Sequence, residues 1–177
     1  VRNEITQLRP LRCSENISMH CELDNLQKVN KGYEFDVVAT ARVKDEVVWT
    51  STITNLARVK TSDELVENKE KEHEEMDWSN WSSCLYTLPS NIGRQYASVS
   101  GDYNPIHLFP MTAKLLGFKR TIAHGMWVKA LMLAKHEHVY KNSESFNIKV
   151  KFKLPVFIPT KINLFIKGND NVFDIWV

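Results

Sequence analysis

Several features that define common protein classes are missing from this sequence of 177 residues. No apolar run reaches the roughly 20 residues that a transmembrane helix needs. No signal peptide is visible, and the chain begins with Val1 rather than Met. No basic patch with interleaved aromatic residues occurs, and the net charge is only +2. We therefore expect neither a membrane nor a nucleic acid as a partner.

Cysteine is scarce as well. Its three copies are odd in number and form no C-x-x-C pair, so neither a disulfide framework nor a common zinc motif is indicated. This pattern is typical of incidental thiols in a cytoplasmic protein, and a catalytic cysteine or a metal site is the less favoured alternative.

The chain divides into three parts by composition. Residues 1–61 are rich in β-branched residues and predict an antiparallel meander without a helix. In it, the apolar alternation from Ile17 to Leu23 is typical of a half-buried strand. Residues 62–77 are strongly acidic and predict a solvated linker, with an acidic docking segment as the alternative. Residues 78–177 form the third part, with strands predicted at about 146–157, 161–167 and 173–177.

An acid and an imidazole stand out in the third part. Asp102 and His107 lie five positions apart, among the turn and breaker signals S-G-D and N-P. A short helix that begins after Asn91 is predicted to precede them. A rigid, non-helical loop that carries a carboxylate and an imidazole is a common way to present catalytic groups.

The segment that follows this loop predicts a buried helix. Residues 125–135 are apolar on nearly every face, which is typical of a helix enclosed by the fold. Its first turn, at Gly125, offers free backbone N–H groups that can stabilise a developing negative charge. Glycine also allows a ligand to approach the backbone closely.

Together these segments resemble the signature of the MaoC-like dehydratases, the (R)-specific enoyl-CoA hydratases also called hydratase 2. The resemblance is carried by S-G-D-Y-N-P-I-H at 100–107, G-F at 117–118, A-H-G-M at 123–126 and V-K-F-K-L-P-V-F at 150–157. It covers about residues 88–168. Many members have an acidic residue two positions after the histidine, where this chain has Phe109. The variant is more similar to the branch related to dehydratase domains of fatty-acid synthases, which leaves the substrate open.

The resemblance implies an α+β hot-dog fold, in which an antiparallel sheet wraps around one central helix. It implies an enzyme that interconverts trans-2-enoyl thioesters and (R)-3-hydroxyacyl thioesters, carried by CoA or an acyl carrier protein, in fatty-acid metabolism. Asp102 and His107 would be the catalytic pair, and Gly125 would bind the thioester oxygen. Asn104 and His124 are further candidates for substrate contact. No metal and no organic cofactor is implied.

A pseudo-repeat extends this expectation. When the N-terminus is shifted by 145 positions, Ile5 falls on Val150, Pro10 on Pro155 and Ile17 on Ile162. The chain therefore resembles a double hot dog with an incomplete N-terminal repeat, as in a fragment of a longer protein. Its assembly would be a homodimer or an intrachain pseudo-dimer.

Alternatives remain for the site and for the function. Taken alone, Asp102 is more typical of a turn residue and His107 of a polar residue satisfied within the fold, but beside the Gly125 block and the strand at 150–157 the catalytic interpretation is favoured. Asn104 is more typical of a loop-shaping residue, and His124 of a residue that orients the start of the helix. The pair His136 and His138 resembles a metal pair, but its spacing does not place both rings on one helical face. A hot-dog thioesterase would place its carboxylate on or beside the central helix, where residues 125–135 contain neither Asp nor Glu. A non-catalytic acyl-thioester-binding module is the other alternative.

Overall fold

The computed structural model describes residues 1–59, 81–168 and 173–176. The acidic segment predicted at 62–77 lies outside these residues. The chain forms two compact units, one from Val1–Glu72 with His138–Lys153 and the other from His73–Glu137 with Leu154–Val177.

The first unit is built on a five-stranded antiparallel sheet with the order β2-β3-β4-β1-β6. Its strands are β1 (Arg2–Gln7), β2 (Ile17–Val29), β3 (Gly32–Val43), β4 (Glu46–Arg58) and β6 (Phe146–Lys151). The predicted meander is confirmed as β2, β3 and β4, and residues 1–59 contain no helix. Gly32 is required at the β2–β3 turn, because its φ is 134° and a Cβ atom would lie 2.0 Å from the Ala57 carbonyl oxygen.

The burial predicted for β2 is wrong, although the strand itself forms. Ile17, Met19 and Leu23 are 44%, 58% and 74% exposed. Within the described residues β2 is an edge strand that pairs only with β3. Alternation determines which side chains share a face of a strand, but it does not determine whether anything covers that face.

The second unit contains a three-stranded antiparallel sheet and a packed helix. The strands are β5 (Ser82–Leu88), β7 (Thr160–Gly168) and β8 (Phe173–Trp176), in the order β5-β7-β8. The helices of the described chain are α1 (Ile92–Ser100), α2 (Pro110–Leu115), α3 (Gly125–Lys135) and α4 (Glu137–Tyr140), with a 3₁₀ turn at Pro105–His107. None of them has the length and hydropathy needed to cross a bilayer.

Helix α3 begins and ends where the sequence predicts. Val128 packs in one core with Leu88 of β5 and Leu164 of β7, and the half-buried side chains of Trp127 and Leu131 pack against that core. The expectation that nearly every face is buried is wrong. An exposed stripe runs along α3 at Met126, Ala130 and Ala134, because apolar composition permits burial but does not supply neighbours on every side.

The strand predicted at 146–157 is shorter than expected, because β6 ends at Lys151. The chain then returns beside residues 121–123. Ala123 N–H donates to the Val156 carbonyl at 2.8 Å, and Ile158 N–H donates to the Thr121 carbonyl at 2.9 Å. This strand-like contact leads the chain into the first turn of α3.

Two strands that are far apart in the sequence pair in the first unit. Strand β1 pairs antiparallel with β6, and Glu4 lies opposite Lys149, the residue to which a shift of 145 positions would carry it. The Glu4 carboxylate lies 3.2 Å from Lys149 Nζ. Equivalent positions of two copies lie opposite each other where a two-fold axis passes through a strand pair.

Candidate active site

The loop that carries Asp102 begins where α1 ends. Gly101 caps the helix with a φ of 75°, a conformation that glycine adopts without strain, and its N–H donates to the Ala97 carbonyl at 2.9 Å. Asp102 Oδ1 then accepts a hydrogen bond from Asn104 N–H at 3.1 Å. Asn104 Oδ1 in turn accepts from Ile106 N–H at 3.3 Å and caps the 3₁₀ turn. The loop is therefore held by its own side chains.

His107 is buried at the end of this turn. Its Nδ1 lies 2.8 Å from the Ile122 carbonyl oxygen. Since a carbonyl can only accept, Nδ1–H is the donor and Nε2 carries a lone pair. Burial lowers the pKa of His107, and nearby His124 lowers it further, whereas the Ile122 carbonyl and Asp102 act in the opposite direction. The imidazole is thus a neutral base at physiological pH.

His124 is the N-cap residue of α3 and is only 2% exposed. Its Nε2–H donates to the Asp102 carbonyl oxygen at 3.0 Å. Its ring stacks on the His107 ring, with centroids 3.7 Å apart and an interplanar angle of 27°. The Tyr96 ring packs against the His124 ring in an edge arrangement, with ring centroids 4.9 Å apart. His124 therefore links α1, the Asp102 loop and the first turn of α3.

Three titratable side chains converge here. One ring nitrogen each from His107 and His124 and one carboxylate oxygen of Asp102 lie within 4.8 Å of one another. Asp102 Oδ2 lies 3.8 Å from His124 Nε2, and its side chain is half exposed. Asp102 and His107, which the sequence predicts as a pair, are thus brought together at an edge that solvent reaches.

Two histidines and a carboxylate are also a common set of metal ligands. Here the rings are stacked, and the lone pair of an imidazole lies in the plane of its ring. With ring centroids 3.7 Å apart and planes inclined by only 27°, the two ring planes do not meet within a metal–nitrogen bond length of about 2 Å of both nitrogens. One ring would have to turn before both could bind the same ion. The geometry instead suits His107 as a neutral base with His124 stacked on its ring.

Gly125 is the first residue of α3. The first N–H groups of a helix have no partner within it, so they are available to an anionic ligand. The stack of His124 on His107 brings this end of α3 beside the basic imidazole. His136, one of the two histidines that resemble a metal pair, is the C-cap residue of α3. Its Nδ1–H donates to the Met132 carbonyl at 2.8 Å.

Gly93 is a site residue that sequence reasoning missed. A Cβ atom at this position would lie 1.9 Å from the carbonyl oxygen of His107. Helix α1 therefore passes directly against the backbone that carries the imidazole, and only glycine allows this approach. The signal in the sequence was a glycine inside a helical pattern, which costs stability unless packing requires it.

A shallow cavity of about 310 Å³ occurs elsewhere, on the sheet of the first unit. It is lined by residues of β1, β4 and β6, including Arg2, Glu4 and Lys149. None of the predicted site residues lines it, and it combines no buried base with a nucleophile or an acid. It therefore carries no catalytic assignment.

Comparisons with known proteins identify the family of this chain. The model of the MaoC-like domain family matches residues 68–174, more than half of the chain. The chain belongs to the MaoC-like dehydratase family. The 3-hydroxyacyl-thioester dehydratase X of Mycobacterium tuberculosis is 32% identical over 173 residues, which are 98% of this chain and 60% of that protein. The (R)-specific enoyl-CoA hydratase of Aeromonas caviae is 36% identical over 69 residues, 38% of this chain and 52% of that protein.

Solved structures of MaoC-like proteins share the fold. The crystal structure of HtdX from Mycobacterium tuberculosis has a TM-score of 0.82 and 30% identity, and the match covers 98% of this chain and 68% of that one. A MaoC-like dehydratase from Phytophthora capsici has a TM-score of 0.75 at 20% identity, covering 99% of this chain and 62% of that one, and shows the fold alone. The hot-dog fold expected from the resemblance is confirmed. The chain spans about 60% of the length of the curated Mycobacterium relative.

Proposed function

We propose that this protein is a hydratase or dehydratase that interconverts trans-2-enoyl thioesters and (R)-3-hydroxyacyl thioesters in fatty-acid metabolism. The observation that carries the proposal is the convergence of Asp102 with the neutral imidazole of His107 beside the first turn of α3. Two relatives whose names state these activities align with the chain. CoA and an acyl carrier protein are both suitable carriers for the acyl group.

In the hydration direction, a water held between Asp102 and His107 attacks C3 of the enoyl thioester. His107 Nε2 takes a proton from this water, since its lone pair is free while Nδ1–H donates to Ile122. Asp102 accepts a hydrogen bond from the second O–H of the water and stabilises the imidazolium. The imidazolium then gives its proton to C2, so the elements of water are added and the enzyme returns to its starting state.

As the C3–O bond forms, the π electrons move toward the thioester oxygen. We assign the stabilisation of this oxygen to the backbone N–H of Gly125 at the positive end of α3. Loss of such a donor costs on the order of 3 kcal/mol in the barrier. Asn104 shapes the loop through its cap on Ile106, and we propose it as a further substrate contact. This acid–base chemistry transfers no electrons and requires no redox cofactor.

We further propose a double hot dog, with residues 1–61 as a partial N-terminal repeat, 62–77 as a linker and 78–177 as the catalytic repeat. The support is the register of β1 against β6, in which Glu4 lies opposite Lys149, the position to which the pseudo-repeat carries it. Two repeats related in this way would form an intrachain pseudo-dimer. A homodimer is the alternative assembly. The acyl pocket is expected between α3 and the buried side chains of residues 108–122, on the side of α2 opposite to the exposed Met111 and Leu115.

The cytoplasm is the proposed location. Its support is that all three cysteines are unpaired and exposed, which is typical of a reducing compartment. A thioesterase is less consistent with the site, because a carboxylate on the central helix would be expected and α3 contains none.

The proposed activity is tested by incubating the full-length protein with a short and a long trans-2-enoyl-CoA. Loss of absorbance from the conjugated double bond, with formation of the (R)-3-hydroxyacyl product on chiral chromatography, is the expected result. Release of free CoA without loss of the double bond would instead identify a thioesterase. Binding without any turnover by the intact protein would identify a non-catalytic module.

A further inference from the structure

Charge is distributed unevenly along this nearly neutral chain. It contains 23 Lys and Arg residues and 21 Asp and Glu residues in total. Residues 81–136, however, contain six Lys and Arg residues and only one acidic residue, the proposed catalytic Asp102. The segment that surrounds the site is therefore positively charged, and it favours anionic partners.

Helix α2 displays part of this charge next to exposed apolar side chains. Ala113 is fully buried, so the helix turns that side toward the protein. With 100° per residue, Met111, Lys114 and Leu115 lie on the opposite side. Met111 and Leu115 are 76% and 82% exposed, and Lys114 is exposed beside them.

Arg94 extends this surface from α1. Its Nη1 donates to the Leu108 carbonyl at 3.0 Å, and its guanidinium lies 5.5 Å from the centre of the exposed Phe109 ring. Phe109 is the N-cap residue of α2. The resulting α2 surface consists of Arg94, Phe109, Met111, Lys114 and Leu115.

The α2 surface adjoins the catalytic loop. Thr112 Oγ1 donates to the Pro105 carbonyl at 2.7 Å, which fixes α2 to the turn that ends at His107. A carrier bound to this surface would hold its acyl group close to the proposed acid–base pair.

We propose that the α2 surface docks an acidic acyl carrier protein, which delivers the thioester to the site. The inference rests on the proposed hydratase function and identifies the carrier. Basic groups around exposed apolar side chains match an acidic helix with apolar residues on its contact face. The anionic headgroup of CoA would satisfy Lys114 and Arg94 but would leave Met111 and Leu115 in water, so the apolar part of the surface favours a protein.

The test compares two substrates on the full-length protein, a crotonyl group on a type II acyl carrier protein and the same group on CoA. Lys114→Glu should lower kcat/KM for the carrier-bound substrate about tenfold and for crotonyl-CoA less than about twofold, with the difference reduced by salt. Leu115→Ser should likewise lower kcat/KM for the carrier-bound substrate more than for crotonyl-CoA. The matched controls are Lys161→Glu and Leu154→Ser, at exposed positions outside the α2 surface. They should leave kcat/KM unchanged for both substrates.

Direct binding separates this proposal from the function on which it rests. Labelled holo carrier protein, without an acyl group, is titrated and followed by fluorescence anisotropy. Binding that Lys114→Glu weakens, together with no turnover of either substrate, would support docking and refute the hydratase. Turnover of crotonyl-CoA without carrier binding would refute docking alone. The docking proposal would also be overturned if Lys114→Glu lowered kcat/KM equally for both substrates, or if the control variants lowered it as much as Lys114→Glu. It would likewise be overturned if the mass from light scattering changed with these variants and so revealed a second copy bound to this surface.

Discussion

The carbonyl oxygen of His107 lies so close to Gly93 that a methyl group on the glycine would overlap it, at 1.9 Å. The contact is with backbone, which cannot move aside as the end of a flexible side chain would. Helix α1 and the turn that carries the imidazole are therefore fixed relative to each other at this point. The position of His107, the proposed base, therefore depends on Gly93, which has no side chain that could take part in catalysis.

Substitution of Gly93 should therefore impair catalysis through the position of His107. We expect Gly93→Ala to lower kcat by about 100-fold, since a displacement of about 1 Å can have this effect. Steady-state kinetics on an enoyl thioester measures the loss, and circular dichroism verifies that the protein is folded. Gln95→Ala, on the exposed side of the same helix, is the control. A folded Gly93→Ala protein with unchanged kcat would show that the loop tolerates the shift.

The pH dependence should respond to His124. This residue lowers the pKa of His107, and its ring excludes water from one face of the imidazole. His124→Asn should therefore raise the pKa of His107 by removing the nearby ring and reducing desolvation. Because the neutral imidazole is the active form, the acidic limb of the kcat/KM profile should move to higher pH. His136→Asn, at the far end of α3, should leave the limb in place. A limb that stays where it is in His124→Asn would exclude this coupling.

Asp102 and His107 should act as a unit. Asp102→Asn and His107→Ala should each lower kcat by about 100-fold or more, within the usual range for acid–base groups. Because both act on one water, the double variant should lose little more than the worse single variant. Activation free energies from kcat give the coupling. Losses that add in full would argue against a shared water.

Lys129 should destabilise the protein near neutral pH. Burial in α3 lowers its pKa from 10.5 to about 8. The folded protein therefore resists the charged form, and wild-type stability should rise with pH between about 8 and 10.5, where the unfolded chain binds more protons. Lys129→Met should raise the free energy of unfolding by about 1–3 kcal/mol at pH 7.

Urea unfolding at pH 7 and pH 10 measures this effect. The advantage of Lys129→Met should be smaller at pH 10. Lys119→Met, at an exposed position between α2 and α3, should change the free energy of unfolding by less than about 0.5 kcal/mol. A less stable Lys129→Met protein at pH 7 would mean that the interactions of the ammonium outweigh the cost of burying it.

Local signals were sufficient for part of this molecule. Breakers and caps around residues 101–107 predicted the loop, and apolar length predicted α3 to the residue. The α2 helix was missed because Pro110–Leu115 is a helix of only six residues, and its pattern is too brief to distinguish from a loop. The short strand β5 was missed for a similar reason, since aromatic and polar residues are mixed in it.

The stack of His124 on His107 could not be predicted, because it depends on tertiary contacts. It forms only because residues 121–123 pair with residues 156–158, which positions the first turn of α3. No local pattern encodes that pairing. The same limit applies to Gly93, whose place in a helix was apparent while its neighbour was not. It also applies to the exposure of β2, which depends on what lies beside the sheet.

Strand β1 pairs with two strands, and one of them lies far away in the sequence. Residues 2–7 pair on one side with β4, and on the other with residues 146–151. During synthesis the hairpins from β2 to β4 can form early, and β1 can then join β4. Its second edge stays open until residues 146–151 have been made. Because this late contact spans most of the sequence, closure of the sheet should be a slow step in folding. Until it occurs, the backbone groups along that edge of β1 are available to the strands of other chains.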